Sequence, residues 1–417
     1  MEPMKQPFQS HFRSLALGGT ALFLVGSLIL FPEQAFNSSL KGLKTWWDVV
    51  FPALLPFFIA SEILMGFGVV HFLGVLLEPL MRPIFRVPGT AGFVMAMGLA
   101  SGYPIGAKLT ARLREQKLIT RSEGERLVSF TNTADPLFMF GAVAVGFFHD
   151  VSLGVIIAIA HYTSSLLLGF LMRFHDPQGP TTPVPVKSDG HFLIRAYREM
   201  HQARIKDGRS LGELMGDAIT SSINTLMMVG GFIMMFSVVI EVLSQVGITT
   251  WISAAIGQLF SLIRIPAELA SPVISGLFEI TLGAQVASQV PNTVHIAYKI
   301  TIVSAVTAWS GLSVHAQVAS ILSRTDIRYA PYCVARLIHG VLAGWITLLL
   351  WNPVEQYIRY SDATVPAFLR QLPETGWHGL AERVSFLGWR AILLLGILIL
   401  IGTSIQFFKG FRTKKTH

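Results

Sequence analysis

The chain has 417 residues, 52% hydrophobic and only 13% charged, with a mean hydropathy of +0.56; a soluble domain carries about 25% charged residues, so a soluble fold is excluded. The net charge of +8 accompanies no zinc-finger, RRM or basic-zipper pattern, which excludes nucleic acid as a partner and leaves the charge to report topology. The single cysteine, Cys333, excludes an intrachain disulfide and a cysteine-cluster metal site.

The apolar runs, each near 20 residues, predict an all-α polytopic membrane protein with the lipid bilayer as its surroundings. About eight transmembrane helices and two re-entrant helical hairpins are expected. Alternating strands of the kind that build a β-barrel are missing.

Residues 1–44 hold Lys5 and Arg13 and then the apolar run Leu15–Phe31. Glu33-Gln34-Ala35 is a poor cleavage site, so this is a retained, signal-anchor-like first span. Residues 45–173 hold the spans Trp46–Val70, Val128–Phe148 and Val151–Met172, with a Gly/Pro-broken stretch at 89–110. Residues 174–217 form a Pro-rich and basic cytoplasmic linker. Residues 218–352 repeat the pattern, with spans Ala218–Val246, Lys299–Ile321 and Pro331–Trp351 and a second broken stretch at 267–297. A polar surface segment, 353–383, leads to a last span, Val384–Phe408, and a basic tail within 384–417. With the N-terminus inside, segments 1–14, 71–127, 173–215, 323–330 and 409–417 hold most of the 32 lysines and arginines. That bias puts both termini in the cytoplasm.

The two halves resemble each other. Glu62-Ile63-Leu64 pairs with Glu241-Val242-Leu243, Gly68 with Gly247, Arg86-Val87-Pro88 with Arg264-Ile265-Pro266, and Gly98-Leu99 with Gly276-Leu277. His161 pairs with Arg336. Each unit makes three crossings, so the second enters from the opposite face. The broken hairpins then meet near the midplane, where transporters with inverted repeats bind their cargo. Glu62 and Glu241 are read as structural pairing carboxylates.

Two intramembrane acids, Asp135 and Glu279, mark functional positions, because a carboxylate in hydrocarbon is costly. The first hairpin tip brings Ser101, Gly102, Tyr103 and Gly106, whose freed backbone N–H groups favour an anion, followed by Lys108. The string Gly102–Thr110 departs from the P-loop pattern, so no ATPase is expected. The alternative for the tip is a cluster of packing glycines. Asn132, Thr133 and Asp135 break the third span, either to contact cargo or to cap a helix. Glu279, Thr281 and Gln285 line the second hairpin, with Glu279 carrying Na+ or H+ or serving structurally. Ser310, Ser313, His315 and Gln317 make the sixth span polar. Arg336 either pairs with a carboxylate on the cargo or snorkels. No metal site, resident cofactor or catalytic constellation emerges, so the chain is not read as an enzyme.

The strings Phe51–Phe58 (FPALLPFF), Leu76–Pro83 (LLEPLMRP), Ala100–Arg112 (ASGYPIGAKLTAR) and Ser129–Pro136 (SFTNTADP) closely resemble the YlbJ (SpoVV) family of sporulation integral membrane proteins of endospore-forming bacteria. The resemblance covers most of residues 15–352. The hairpin-containing halves also resemble the Gate, or nucleoside-recognition, domain related to concentrative nucleoside transporters. The resemblance implies residence in the outer forespore membrane, movement of dipicolinate toward the forespore, and dependence of cortex formation on that movement. Three functions stay open: a secondary transporter of a small anionic organic solute coupled to Na+ or H+, a nucleoside or nucleobase transporter on the same scaffold, and a non-transporting sporulation scaffold. Residues alone do not set the oligomeric state.

Overall fold

A computed structural model describes residues 7–183 and 192–360, and among these the chain is helical with no strand. Of the expected surface segment 353–383, residues 353–360 instead continue the helix Tyr329–Tyr360; its remainder, the last span Val384–Phe408 and the basic tail lie outside the described residues.

The first half opens with α1 (Pro7–Leu30) and α2 (Pro32–Thr45). Proline suits the first turn of α2, where its missing N–H costs no hydrogen bond. α2 runs through a π-helical turn at Trp46–Val50 into α3 (Phe51–Gly66). The result is one rod, Pro32–Gly66, of 35 residues. The expected span Trp46–Val70 therefore begins inside a longer helix, and the π turn sits just before Pro52, where an ordinary α-helical ladder would be interrupted. Next come α4 (Val69–Leu80), α5 (Ala91–Ser101), α6 (Ile105–Glu115), α7 (Arg121–Thr131), a π-helical segment at Phe138–Phe147, and α8 (Ser152–Met172).

The second half follows the same order. After α9 (Phe192–Asp207) come α10 (Leu211–Gln245), α11 (Ile248–Leu262), α12 (Ala270–Phe278) and α13 (Ile280–Gln289). They are followed by α14 (Ile296–Trp309), α15 (Gly311–Leu322) and α16 (Tyr329–Tyr360). Paired residues share backbone conformation. Gly68 and Gly247 have φ of 76° and 79°, and Arg86 and Arg264 have φ of 54° and 59°. A left-handed residue thus ends each long rod and each following helix. α4 and α11 were not expected as helices of their own; at 12 and 15 residues they fall short of a bilayer-spanning length.

Four helices among the described residues are long and apolar enough to cross a membrane: Pro32–Gly66, Ser152–Met172, Leu211–Gln245 and Tyr329–Pro353. The expected span Lys299–Ile321 is instead two helices meeting at Ser310, and Val128–Phe148 is likewise interrupted after Thr131. The main core gathers Trp46, Leu54, Met139, Val143, Ile157, Leu226, Ile233, Ile280 and Ile300, so both halves share it.

One end of the bundle is tied by charge. The buried Glu125 carboxylate on α7 accepts from Arg328 Nε at 2.7 Å and Nη2 at 2.9 Å, and pairs with His175 Nε2 at 2.7 Å. Burial alone would raise this carboxyl, but the Arg328 and His175 hydrogen bonds outweigh it and hold Glu125 below the usual range. Arg114 on α6 grips Asp326 through Nε at 2.7 Å and Nη2 at 2.8 Å. The 323–328 turn of the second half is thereby fastened to the first. Residues 175–183 of the Pro-rich linker are docked. Arg126, buried, donates to the carbonyls of His175 and Asp176, and Thr182 N donates to Glu123 at 3.0 Å.

Candidate functional site

The breaks arise where the sequence denies the helix its next hydrogen bond. In the first hairpin, Gly102 takes φ 69° and Pro104 has no N–H to donate, so α5 stops and α6 restarts at Ile105. In the second, Glu279 is extended and its carboxylate caps α13, accepting from Leu282 N at 2.9 Å and Thr281 Oγ1 at 3.2 Å. Asp135 does the same for the π-helical segment, accepting from Phe138 N at 2.8 Å. Each of these acids therefore neutralises the positive end of a restarted helix. Ser310 and Gly311, both at positive φ, divide α14 from α15.

The breaks touch. A Cβ at Gly102 would lie 2.4 Å from Asp135 Oδ2, and one at Gly311 would lie 3.2 Å from Glu279 Cα. Each hairpin bend thus rests on the broken helix of its own half. Tyr103 crosses between halves, its hydroxyl donating to Thr307 O at 3.0 Å. Arg336 on α16 is wholly buried. Its guanidinium donates to the carbonyls of Ser129 and Asn132 at the end of α7, and at 3.4 Å to Ala308 at the end of α14. It gives its charge to two helix C-termini rather than to an open cavity.

A cavity of about 590 Å³ opens beside this junction. Its walls are Phe58, Glu62 and Met65 of α3, Ser222, Thr225 and Phe232 of α10, the first bend with Lys108 of α6, and Gln317 and Ser320 of α15. Of the residues expected to bind cargo, Ser101, Tyr103, Lys108 and Gln317 line it. The others do not line it. Asn132 donates to Tyr332 at 2.9 Å, and Thr133 donates to Gly98 O at 3.2 Å. Gly106 packs on the Thr131 carbonyl, and Gln285 donates to Thr45 Oγ1 at 2.9 Å. Ser310 and Ser313 are buried. His315 stacks on Trp309 with ring centroids 4.1 Å apart, and both its ring nitrogens have partners, in Trp309 O and the Tyr329 hydroxyl.

The second bend does not line the cavity, so the opening is one-sided rather than set between both tips. Glu62, read from the sequence as a structural carboxylate, lines it and accepts from Ser221 Oγ at 3.0 Å. Glu241, its counterpart in the second half, accepts from Gln245 Nε2 at 2.6 Å. The signal for Glu62 was present as a lone charge in an apolar helix. His161, aligned by sequence with Arg336, packs against His339, with ring centroids 4.8 Å apart. Among the described residues no group of three His, Cys, Asp or Glu side chains is placed to hold a metal ion.

The cavity therefore offers one cation, one carboxylate, several hydroxyls and an amide between aromatic and methionine side chains. Such a mixture suits a small flat organic solute with polar edges.

Residues 47–174 match the model of the Gate family, described as nucleoside recognition. No solved structure matches. The sporulation integral membrane protein YlbJ of Bacillus subtilis (strain 168) is 50% identical over 352 residues, covering 83% of this chain and 84% of that protein. At that identity, over most of both chains, the chain belongs to the YlbJ family of sporulation integral membrane proteins.

Proposed function

We propose that this protein is a secondary transporter of a small anionic aromatic solute, with dipicolinate as the cargo, acting during sporulation in the outer forespore membrane. In this reading the bends at Gly102 and Glu279 are the tips of two re-entrant hairpins in an inverted repeat. Both chain termini face the mother-cell cytoplasm. Asp135 and Glu279 carry the coupling Na+ or H+. The observation that carries the reading is the cavity itself. It lies against a broken helix, is lined by Phe58, Phe232 and Tyr103, and has Lys108 on its wall to meet a carboxylate.

The nucleoside reading rests on the Gate match and on Glu62, a wall carboxylate suited to sugar hydroxyls rather than to a dianion. Labelled dipicolinate uptake into proteoliposomes under Na+ and pH gradients tests the proposal. Saturable uptake is expected, with Lys108→Gln raising the half-saturating concentration about tenfold, the effect of losing one charge-assisted hydrogen bond. Absence of flux under every gradient refutes transport of this cargo, and competition by uridine moves the assignment to nucleosides.

A further inference from the structure

α9 carries two opposed faces and a charged flank. Ala196 is fully buried against Leu76 of α4. A Cβ at Gly68 would lie 2.4 Å from Met200 O and 3.2 Å from the Ala203 methyl, so only glycine lets the helix seat this closely. Arg195 pairs with Glu78 of α4, and Arg204 lies over the Phe67 ring at 5.6 Å. These contacts fix the rotation of α9 about its axis.

That rotation turns Ile194, Tyr197, His201 and Ile205 outward. They recur at spacings of three and four residues, which places them on one side of a helix. Ile194, Tyr197 and Ile205 are 56%, 59% and 65% exposed. Arg198 and Lys206 are exposed on the flank beside this stripe, with Glu199 the exposed acid among them. Asp207 is occupied by Arg209 at 2.6 Å and 2.9 Å. The stripe does not stand alone. α10 begins four residues after α9 ends, and it carries on the apolar exposure with Leu211, Met215 and Ile219. α10 is one of the rods able to cross a membrane, so α9 lies where that rod leaves the hydrocarbon.

We infer that α9 is a lipid-reading helix that lies in the membrane surface and binds anionic phospholipid, with Ile194, Tyr197 and Ile205 among the acyl chains and Arg198 and Lys206 on the headgroups. A helix with an apolar side, a cationic flank and low overall hydrophobicity takes this position. Each cation near an anionic leaflet strengthens attachment by about fivefold. Because α9 is seated on α4, and α4 packs along α5, lipid attachment positions the first bend whatever the cavity carries.

The test uses the full chain in liposomes, with Cys333→Ser and a nitroxide at Tyr197→Cys. In vesicles containing phosphatidylglycerol the label should be more accessible to oxygen than to a water-soluble nickel complex, and should lie deeper than in pure phosphatidylcholine. A label open to the nickel complex in both membranes overturns the inference. In mixed micelles phosphatidylglycerol should raise the melting temperature of the wild-type protein. Arg198→Gln/Lys206→Gln should need about twenty-five-fold more of it for the same rise, fivefold for each cation lost. Superimposable titrations of the two proteins, or an equal effect of phosphatidylcholine, also overturn it.

Discussion

Gly98→Ala is the most searching single substitution in this molecule. Gly98 on α5 and Gly106 on α6 straddle the carbonyl at the end of α7, where a Cβ would lie 1.9 Å and 2.4 Å from Thr131 O. An ordinary contact needs about 3.4 Å, so the first arm of the hairpin must retreat by roughly 1.5 Å. The neighbour is backbone and cannot rotate away. Overpacking of this kind costs about 1–3 kcal/mol or more, against a helix-propensity gain of about 1 kcal/mol for replacing glycine. Net destabilisation of up to about 2 kcal/mol is expected. The retreat also displaces Ser101 and Tyr103 from the cavity wall, so solute affinity should fall at least tenfold. Thermal melts in detergent and a binding titration read both effects. Gly216→Ala and Gly231→Ala serve as controls, because a Cβ there meets nothing within 4 Å; they should be neutral or stabilised by up to about 1 kcal/mol. If Gly98→Ala melts with the controls and binds normally, the close approach of hairpin and broken helix is not what holds the first bend.

Glu125→Gln and Arg328→Gln should each destabilise, and the double variant should lose less than their sum, with a coupling of about 1–2 kcal/mol. The Arg328 side chain is 53% exposed, so water screens much of what a fully buried pair would give. Since Glu125 is held below the usual carboxyl range, its contribution is complete above the unfolded-state pKa and is lost as pH falls through the depressed value. Melting temperatures from neutral pH downward should show an acid limb that Glu125→Gln flattens, and an unchanged limb removes Glu125 as its source. Asp135→Ala should cost about 1 kcal/mol through loss of the helix cap. Asp135→Asn keeps an oxygen for Phe138 N and should spare stability while changing the ion or pH dependence of uptake; uptake identical to wild type would leave Asp135 a cap alone.

Much of this architecture was legible because hydrocarbon tolerates so few backbones. Gly and Pro marked the bend at 102–104, and Asn132 to Pro136 marked the next one. The Glu62/Glu241 and Arg86/Arg264 matches located the repeat, and the shared left-handed φ of Arg86 and Arg264 shows why that turn recurs. The division of labour among the polar residues was not legible. A run such as Asn132-Thr133-Ala134-Asp135 reads equally as cargo contact or helix cap. Only the direction of each side chain separates Lys108, which faces the cavity, from Asp135, which faces a backbone N–H. The role of Arg336 was hidden for the same reason: its partners are carbonyl oxygens, which every residue possesses. α4 and α11 were missed because an apolar helix too short to span has no distinct periodic signature.

Arg336 has a mechanical consequence. The negative ends of α7 and α14, one from each half, face a single, wholly buried guanidinium. Pulling them apart would strand either a cation or several carbonyls in oil. Any rearrangement that separates these two helix ends must first break the Arg336 bonds, along with the cross-half bonds of Tyr103 to Thr307 and Asn132 to Tyr332.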